Sequence, residues 1–121
     1  MNVLLINGSP HEKGCTYTAL SLIAGELNKA GIDTEILHVG GKPVGGCIGC
    51  VFGGVVNEAI EKAKTADGFV FGSPVHYASA SGNMTSFMDR LSYAGGKYLA
   101  YKPAAICCSA RRAGTTTTLD Q

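Results

Sequence analysis

The stretch that decides the fold is MNVLLINGSPHEKGCTYT, residues 1–18, in which a buried strand leads into a turn of small residues. Residues 1–7 are apolar and nearly unbroken, which is typical of a strand covered on both faces. Residues 8–18 are rich in glycine and hydroxyl side chains, and they lead into an amphipathic helix. The first N–H groups of a helix have no partner within it, and the positive end of its dipole lies there. The stretch therefore predicts an anion site at a helix N-terminus.

The composition predicts one domain over residues 1–121. Hydrophobic residues make up 45% of the chain, which is enough for a core, and the formal net charge is +1. The scattered lysines and arginines indicate neither nucleic acid nor a membrane as a partner, and the apolar runs are shorter than the roughly 20 residues that span a bilayer. The N-terminus has no signal-peptide pattern and the five cysteines fit reduced thiols, so we expect a cytoplasmic protein.

Strand-like and helix-like segments alternate along the chain. Hydrophobic periodicity predicts strands over residues 3–6, 34–39, 68–72 and 103–108, and helices over residues 16–30, 55–64 and 83–92. This alternation predicts an α/β fold with helices on both faces of a parallel sheet. Ligands bind such sheets outside the carboxyl ends of the strands, where the strand order reverses.

Three polar loops follow the first, third and fourth predicted strands, over residues 8–18, 73–82 and 109–118. In a sheet of order 2-1-3-4 these strand ends lie side by side, so one ligand can contact all three loops. The first loop lacks both the Gly-Lys-Ser/Thr ending of a nucleoside triphosphate loop and the Gly-x-Gly-x-x-Gly pattern of a dinucleotide site. What remains is a hydroxyl-rich loop that suits a phosphate monoester.

Four motifs in this order resemble the NADPH-dependent FMN reductase family, a flavodoxin-like group that includes the iron–sulfur flavoproteins. They are NGSP at residues 7–10, GSPVHY at 72–77, SG…FMDR at 81–90 and SARRAG at 109–114. The resemblance covers essentially the whole chain. It implies a flavodoxin-like, doubly wound parallel sheet of order 2-1-3-4, with the family's usual fifth strand and C-terminal part absent from this chain.

The resemblance implies that the three loops bind FMN. The family's phosphate loop corresponds to Ser9, His11, Thr16, Tyr17 and Thr18. The loop beside the flavin ring corresponds to Pro74, Val75, His76 and Tyr77. The third loop corresponds to Ser109, Arg111, Arg112 and Gly114, and its arginines would stabilise the negative charge of the reduced flavin.

The implied activity is that of an oxidoreductase with NAD(P)H as a substrate and a small molecule or a protein as the electron acceptor. The redox chemistry belongs to the cofactor, so no side chain is predicted to be catalytic. The resemblance also implies a homodimer or homotetramer. A non-catalytic, flavodoxin-like electron carrier and an inactive fragment that binds no flavin remain as alternatives.

The loop after the second predicted strand distinguishes this chain from the iron–sulfur members of the family. Those members carry four clustered cysteines, whereas residues 40–54 hold only Cys47 and Cys50. Two thiolates do not complete a four-thiolate site, so no metal is predicted, and a relative that has lost its cluster is a further alternative. His38 has no second metal ligand at a useful spacing and is predicted to be structural.

Overall fold

The computed structural model describes residues 1–48 and 53–121. Within these residues the strands are β1 (Asn2–Asn7), β2 (Asp33–His38), β3 (Gly68–His76), β4 (Ser79–Ala80) and β5 (Ala104–Ser109). The helices of the same part of the chain are α1 (Cys15–Lys29), α2 (Val55–Thr65), α3 (Gly82–Leu99) and α4 (Thr115–Asp120). The predicted alternation of strands and helices is therefore present.

The parallel part of the sheet has the order β2-β1-β3-β5, while the short β4 pairs antiparallel with the end of β3. The predicted order 2-1-3-4 is confirmed, because β5 is the fourth parallel strand along the described chain. Asn7 at the end of β1 lies between His38 of β2 and Gly72 of β3, and Gly72 in turn pairs with Cys107 of β5. The carboxyl ends of β1, β3 and β5 are thus adjacent, which is where this class of fold places its ligands.

Helices cover both faces of the sheet because successive side chains of a strand point to opposite sides. Leu5 of β1 packs in one hydrophobic cluster with Leu20 and Ala24 of α1. Its neighbours Leu4 and Ile6 belong to a larger cluster with residues of α2 and α3, and that cluster includes Phe87, which is fully buried. Each face of the sheet therefore has its own core, and the doubly wound α/β fold is confirmed.

Helix α3 ends at Leu99, whereas the predicted helix ends at Ser92. A glycine pair, Gly95 and Gly96, lies in the added segment and disfavours helix by its intrinsic propensity. Gly95 is buried, and a Cβ placed on it would lie 3.1 Å from Ile60 Cγ1 of α2, so close helix packing outweighs that propensity. Like the other helices in the described ranges, α3 is not both long and apolar enough to cross a membrane.

The prediction of a loop over residues 73–82 is wrong in part. Strand β3 continues through Pro74 to His76, and the chain then turns back into β4. Tyr77 and Ala78 make the turn, and both have positive φ, at 51° and 59°. Two successive residues of this kind are typical of a type I′ hairpin, whose twist matches that of the flanking strands. The third predicted loop is also shorter than expected, because α4 begins at Thr115.

Strand β5 forms one edge of the described sheet and carries no charged side chain. Its first half, Ala104 to Ile106, is exposed. The opposite edge strand, β2, carries Asp33 and Glu35, the kind of charge that discourages edge-to-edge pairing. The β5 edge therefore lacks the charged side chains that usually protect such a strand.

Candidate functional site

The turn between β1 and α1 is held in shape by the buried side chain of Asn7. The backbone N–H of Ser9 donates to Asn7 Oδ1 at 3.0 Å, and Asn7 Nδ2 donates to the carbonyl oxygen of Glu12 at 3.0 Å. The N–H of His11 donates to Ser9 Oγ at 3.2 Å. These bonds fix the turn before any ligand is present, which lowers the entropy lost on binding.

Helix α1 begins beyond this turn with an N-terminus suited to an anion. Gly14 is the N-cap and has no side chain with which to cap the first N–H groups. The first turn contains no acidic residue, so nothing there opposes the positive end of the helix dipole. Thr16 in that turn is only 2% exposed and directs its hydroxyl toward the third loop.

The first and second loops are joined through the buried side chain of Ser81, the N-cap of α3. Ser81 Oγ donates to the carbonyl oxygen of Gly8 at 2.7 Å and accepts from the N–H of Met84 at 3.2 Å. The N–H of Ser81 donates to Ser73 Oγ at 2.9 Å, and the N–H of Gly8 donates to Gly72 O at 2.8 Å. The turn after β1 is therefore bonded directly to the end of β3.

The third loop contacts both of the others. Thr16 Oγ1 and Ser109 Oγ lie 2.9 Å apart in a hydrogen bond between the first and third loops. Gly114 has a φ of +92°, and a Cβ there would lie 2.9 Å from Ala78 Cα in the hairpin turn. Only glycine combines this backbone conformation with so close an approach. The three predicted loops thus form one continuous surface.

The end of β2 also contacts the first loop, a contact that the hydrophobic pattern of the sequence does not predict. His38 Nε2 lies 2.7 Å from the carbonyl oxygen of Ser9. Gly40 packs so closely against the Ser9 carbonyl that a Cβ placed on Gly40 would lie 2.0 Å from Ser9 O. The sequence feature that could have indicated this contact is the glycine pair Gly40–Gly41 after the second strand. Glycine in or beside a strand often marks a close approach of two backbones.

The predicted site residues differ in burial. Ser9 and Thr16 are buried, Tyr17, Pro74, Val75, Ser109 and Gly114 are half-buried, and His11, Thr18, His76, Tyr77, Arg111 and Arg112 are exposed. Direct contacts join Ser9 to His11 and Thr16 to Ser109, and Gly114 lies against Val75. The hydroxyl of Thr18 donates to Gly14 O, within its own helix. Among residues 1–48 and 53–121, neither Arg111 nor Arg112 is in an ion pair. The roles of these residues in cofactor binding stay predictions.

The segment before the two cysteines is fastened to α3. Asn83 Nδ2 donates to the carbonyl oxygens of Gly40 and Lys42, and its Oδ1 accepts from the N–H of Val44. Cys47 is exposed and unpaired, while Cys50 lies outside the described residues. Within the described ranges, no group of three or more His, Cys, Asp or Glu side chains is placed to hold a metal ion.

An apolar cavity of about 360 Å³ opens beside the second and third loops, between β3, β5, α3 and α4. Its walls include Met84, Met88, Ile106 and Cys107, with the buried hydroxyl of Ser73 at its edge. Burial raises the pKa of the Cys107 thiol, and the adjacent Cys108 adds to that effect. The Cys107 side chain therefore lines the cavity as a neutral thiol at pH 7 and not as a reactive thiolate.

Comparison with known proteins supports the family that the four sequence motifs resemble. The family model described as NADPH-dependent FMN reductase matches residues 1–121. An iron–sulfur flavoprotein from Methanocaldococcus jannaschii is 32% identical over 74% of this chain and 51% of its own length. One from Archaeoglobus fulgidus is 33% identical over 74% of this chain and 48% of its own length. The chain spans about half the length of the curated relatives it matches.

Solved structures share the fold at lower identity. An NADH:FMN oxidoreductase in its apo form superposes with a TM-score of 0.75 at 23% identity, covering 98% of this chain and 63% of that one. The flavoenzyme NAD(P)H:(acceptor) oxidoreductase from Paracoccus denitrificans gives a TM-score of 0.74 at 17% identity, covering 97% of this chain and 65% of that one. These likenesses establish the flavodoxin-like fold, and the family match extends over every residue of the sequence. The chain belongs to the NADPH-dependent FMN reductase family.

Proposed function

We propose that this chain binds FMN and acts as an oxidoreductase that takes electrons from NAD(P)H. The observation that carries the proposal is the joining of three loops at adjacent strand ends by direct hydrogen bonds, Ser81 to Gly8 and Thr16 to Ser109. A ligand as long as FMN needs such an extended, continuous surface, with a phosphate site at one end and room for a planar ring at the other.

The residues of the first loop fit the phosphate of FMN. No side chain caps the N-terminus of α1, its first turn holds no acidic side chain, and the hydroxyl of Thr16, which is bonded to Ser109, lies in that turn. Backbone N–H groups and hydroxyls bind phosphate well at the positive end of a helix. The hydroxyl of Ser9 already accepts a hydrogen bond from the N–H of His11. We therefore assign Ser9 to shaping the loop as well as to binding the phosphate.

The second and third loops fit the ring end. The Tyr77–Ala78 turn places a fully exposed tyrosine at the tip of the β3–β4 hairpin, beside Gly114. Arg111 and Arg112 are exposed cations in the same region, suited to balance negative charge on a reduced ring. FMN, when bound, supplies the redox chemistry, and the chain binds, orients and balances charge.

The experiment that tests the proposal is titration of the purified chain with FMN, followed by anaerobic addition of NADH or NADPH. Binding of FMN and loss of its visible absorbance on adding either nicotinamide are the expected results. Loss of absorbance only with a reduced protein donor would identify an electron carrier instead. Failure to bind FMN would contradict both functions and favour the inactive fragment.

Removal of the Thr16 hydroxyl tests the phosphate end of the site. Thr16→Val keeps the shape of the buried side chain but removes the hydroxyl in the first turn of α1 that we assign to the phosphate, so we expect affinity for FMN to fall about tenfold. Affinity for riboflavin, which lacks the phosphate, is expected to stay unchanged, as measured by fluorescence titration. Thr65→Val, at the exposed end of α2, is the control. Equal loss of FMN and riboflavin affinity would place Thr16 away from the phosphate.

We also propose that the chain self-associates, as a homodimer or homotetramer, and takes small-molecule substrates. The uncharged, exposed edge of β5 supports self-association, since such an edge pairs readily with another strand. Light scattering of the purified chain measures its mass in solution. A monomer at all concentrations would contradict this proposal without bearing on FMN binding.

We propose a cytoplasmic location for the protein. Cys15, Cys47, Cys107 and Cys108 are all free thiols in the described structure. Free thiols persist in the reducing conditions of the cytoplasm.

A further inference from the structure

His38 connects the end of β2 to the turn that follows β1. Its Nε2 lies 2.7 Å from the Ser9 carbonyl oxygen, and since a carbonyl only accepts, the ring nitrogen must carry the proton and donate. The ring also lies close to Gly41, where a Cβ would lie 2.7 Å from His38 Cε1. The imidazole thus lies between the turn after β2 and the first loop and bonds to the first loop.

The bond determines where the Ser9 carbonyl points. That carbonyl belongs to the peptide before Pro10, which has no N–H to help anchor it. His38 draws the oxygen toward β2, at one edge of the described sheet. Thr16 in the first turn of α1 bonds instead to Ser109 on β5, at the opposite edge. The Ser9 carbonyl oxygen therefore has a hydrogen-bond partner on β2, while the first turn of α1 is bonded to the β5 side of the sheet.

We propose that His38 is a positioning residue for the phosphate end of the flavin site, an inference that rests on the proposed binding of FMN. It does not touch the ligand. It holds the Ser9–Pro10 peptide in the orientation that leaves the N-terminus of α1 open to a phosphate. This extends the predicted structural role of His38 to a specific effect on affinity for a phosphorylated ligand.

The test compares FMN with riboflavin, because the two differ only in the phosphate. His38→Leu removes the donor, and we expect affinity for FMN to fall about three- to tenfold, the range for one lost hydrogen bond, while affinity for riboflavin stays the same. His38→Gln restores a side-chain N–H of similar reach, so it is expected to recover most of the FMN affinity. Fluorescence titration gives both affinities, and thermal unfolding of the flavin-free proteins gives their stabilities.

Thr34→Val is the matched control, because it removes a hydrogen bond to Asn28 at the other end of β2. It should leave the ratio of FMN to riboflavin affinity unchanged. An unchanged ratio in His38→Leu, or equal loss for both ligands with no recovery in His38→Gln, would overturn the inference. If the unaltered chain binds FMN no more tightly than riboflavin, or binds neither, that result contradicts the proposed phosphate site itself. The role of His38, which depends on that site, is then contradicted as well.

Discussion

Replacing Gly40 by alanine is expected to destabilise the protein by about 3 kcal/mol and to remove the proposed preference for FMN over riboflavin. The new Cβ would lie 2.0 Å from Ser9 O, 2.4 Å from Ser9 C and 2.7 Å from Gly8 O. All three atoms belong to backbone, so no flexible side chain can move aside. Either β2 or the turn after β1 must shift, and both carry hydrogen bonds that hold the first loop.

Urea denaturation measures the loss of stability, and titration with the two flavins measures the loss of selectivity. Gly25→Ala is the matched control, since Gly25 lies within α1 and a Cβ there meets nothing within 4 Å. Alanine inside a helix is expected to stabilise that variant by about 0.5–1 kcal/mol. A Gly40→Ala variant as stable as the unaltered chain would show that the two backbones are not in contact.

Ser81→Ala is expected to reduce stability by about 3 kcal/mol, the sum of a lost helix cap and an unpaired buried carbonyl. The Ser81 hydroxyl caps α3 through Met84 N and also satisfies the Gly8 carbonyl oxygen. Ser81 is 4% exposed, so water cannot replace it at Gly8. Since the same hydroxyl joins the first two loops, affinity for both FMN and riboflavin is expected to fall.

The control for this variant is Ser92→Ala, on the exposed side of the same helix. Its effect on the free energy of unfolding is expected to stay within about 0.5 kcal/mol. Equal stability of the two variants, or normal flavin binding by Ser81→Ala, would contradict the role of Ser81 in linking the loops.

The alternation of strands and helices was predictable from hydrophobic periodicity, and the strand order was what the resemblance to the family implied. Residues 3–6 and 68–72 are continuous apolar runs, and these are central strands in the structure. The proximity of the three loops followed from that order. The extension of β3 through Pro74 and of α3 through Gly95 was not predictable, because both depend on tertiary contacts that outweigh local propensity.

The hydrogen bonds and contacts that link the loops could not be predicted from the sequence either. Serine and threonine are common in turns, so their presence does not reveal which partner each hydroxyl finds. Ser81 was part of a recognised motif, but its bond to Gly8 depends on the packing of α3 against β1. His38 is the last residue of β2 and Gly40 lies two residues beyond it, and the pattern of that strand does not reveal what either residue contacts. Their contacts with Ser9 exist only once β2 lies beside β1.

The links between the loops also bear on the order of events in folding. Thr16 and Ser109 are 93 residues apart in sequence, and Ser81 and Gly8 are 73 apart. Contacts of such long range slow folding, since long stretches of chain must first be brought together. A nascent chain emerging from the ribosome cannot complete this surface until β5 has docked. Binding of the proposed ligand would therefore require the finished native state and would stabilise it by mass action.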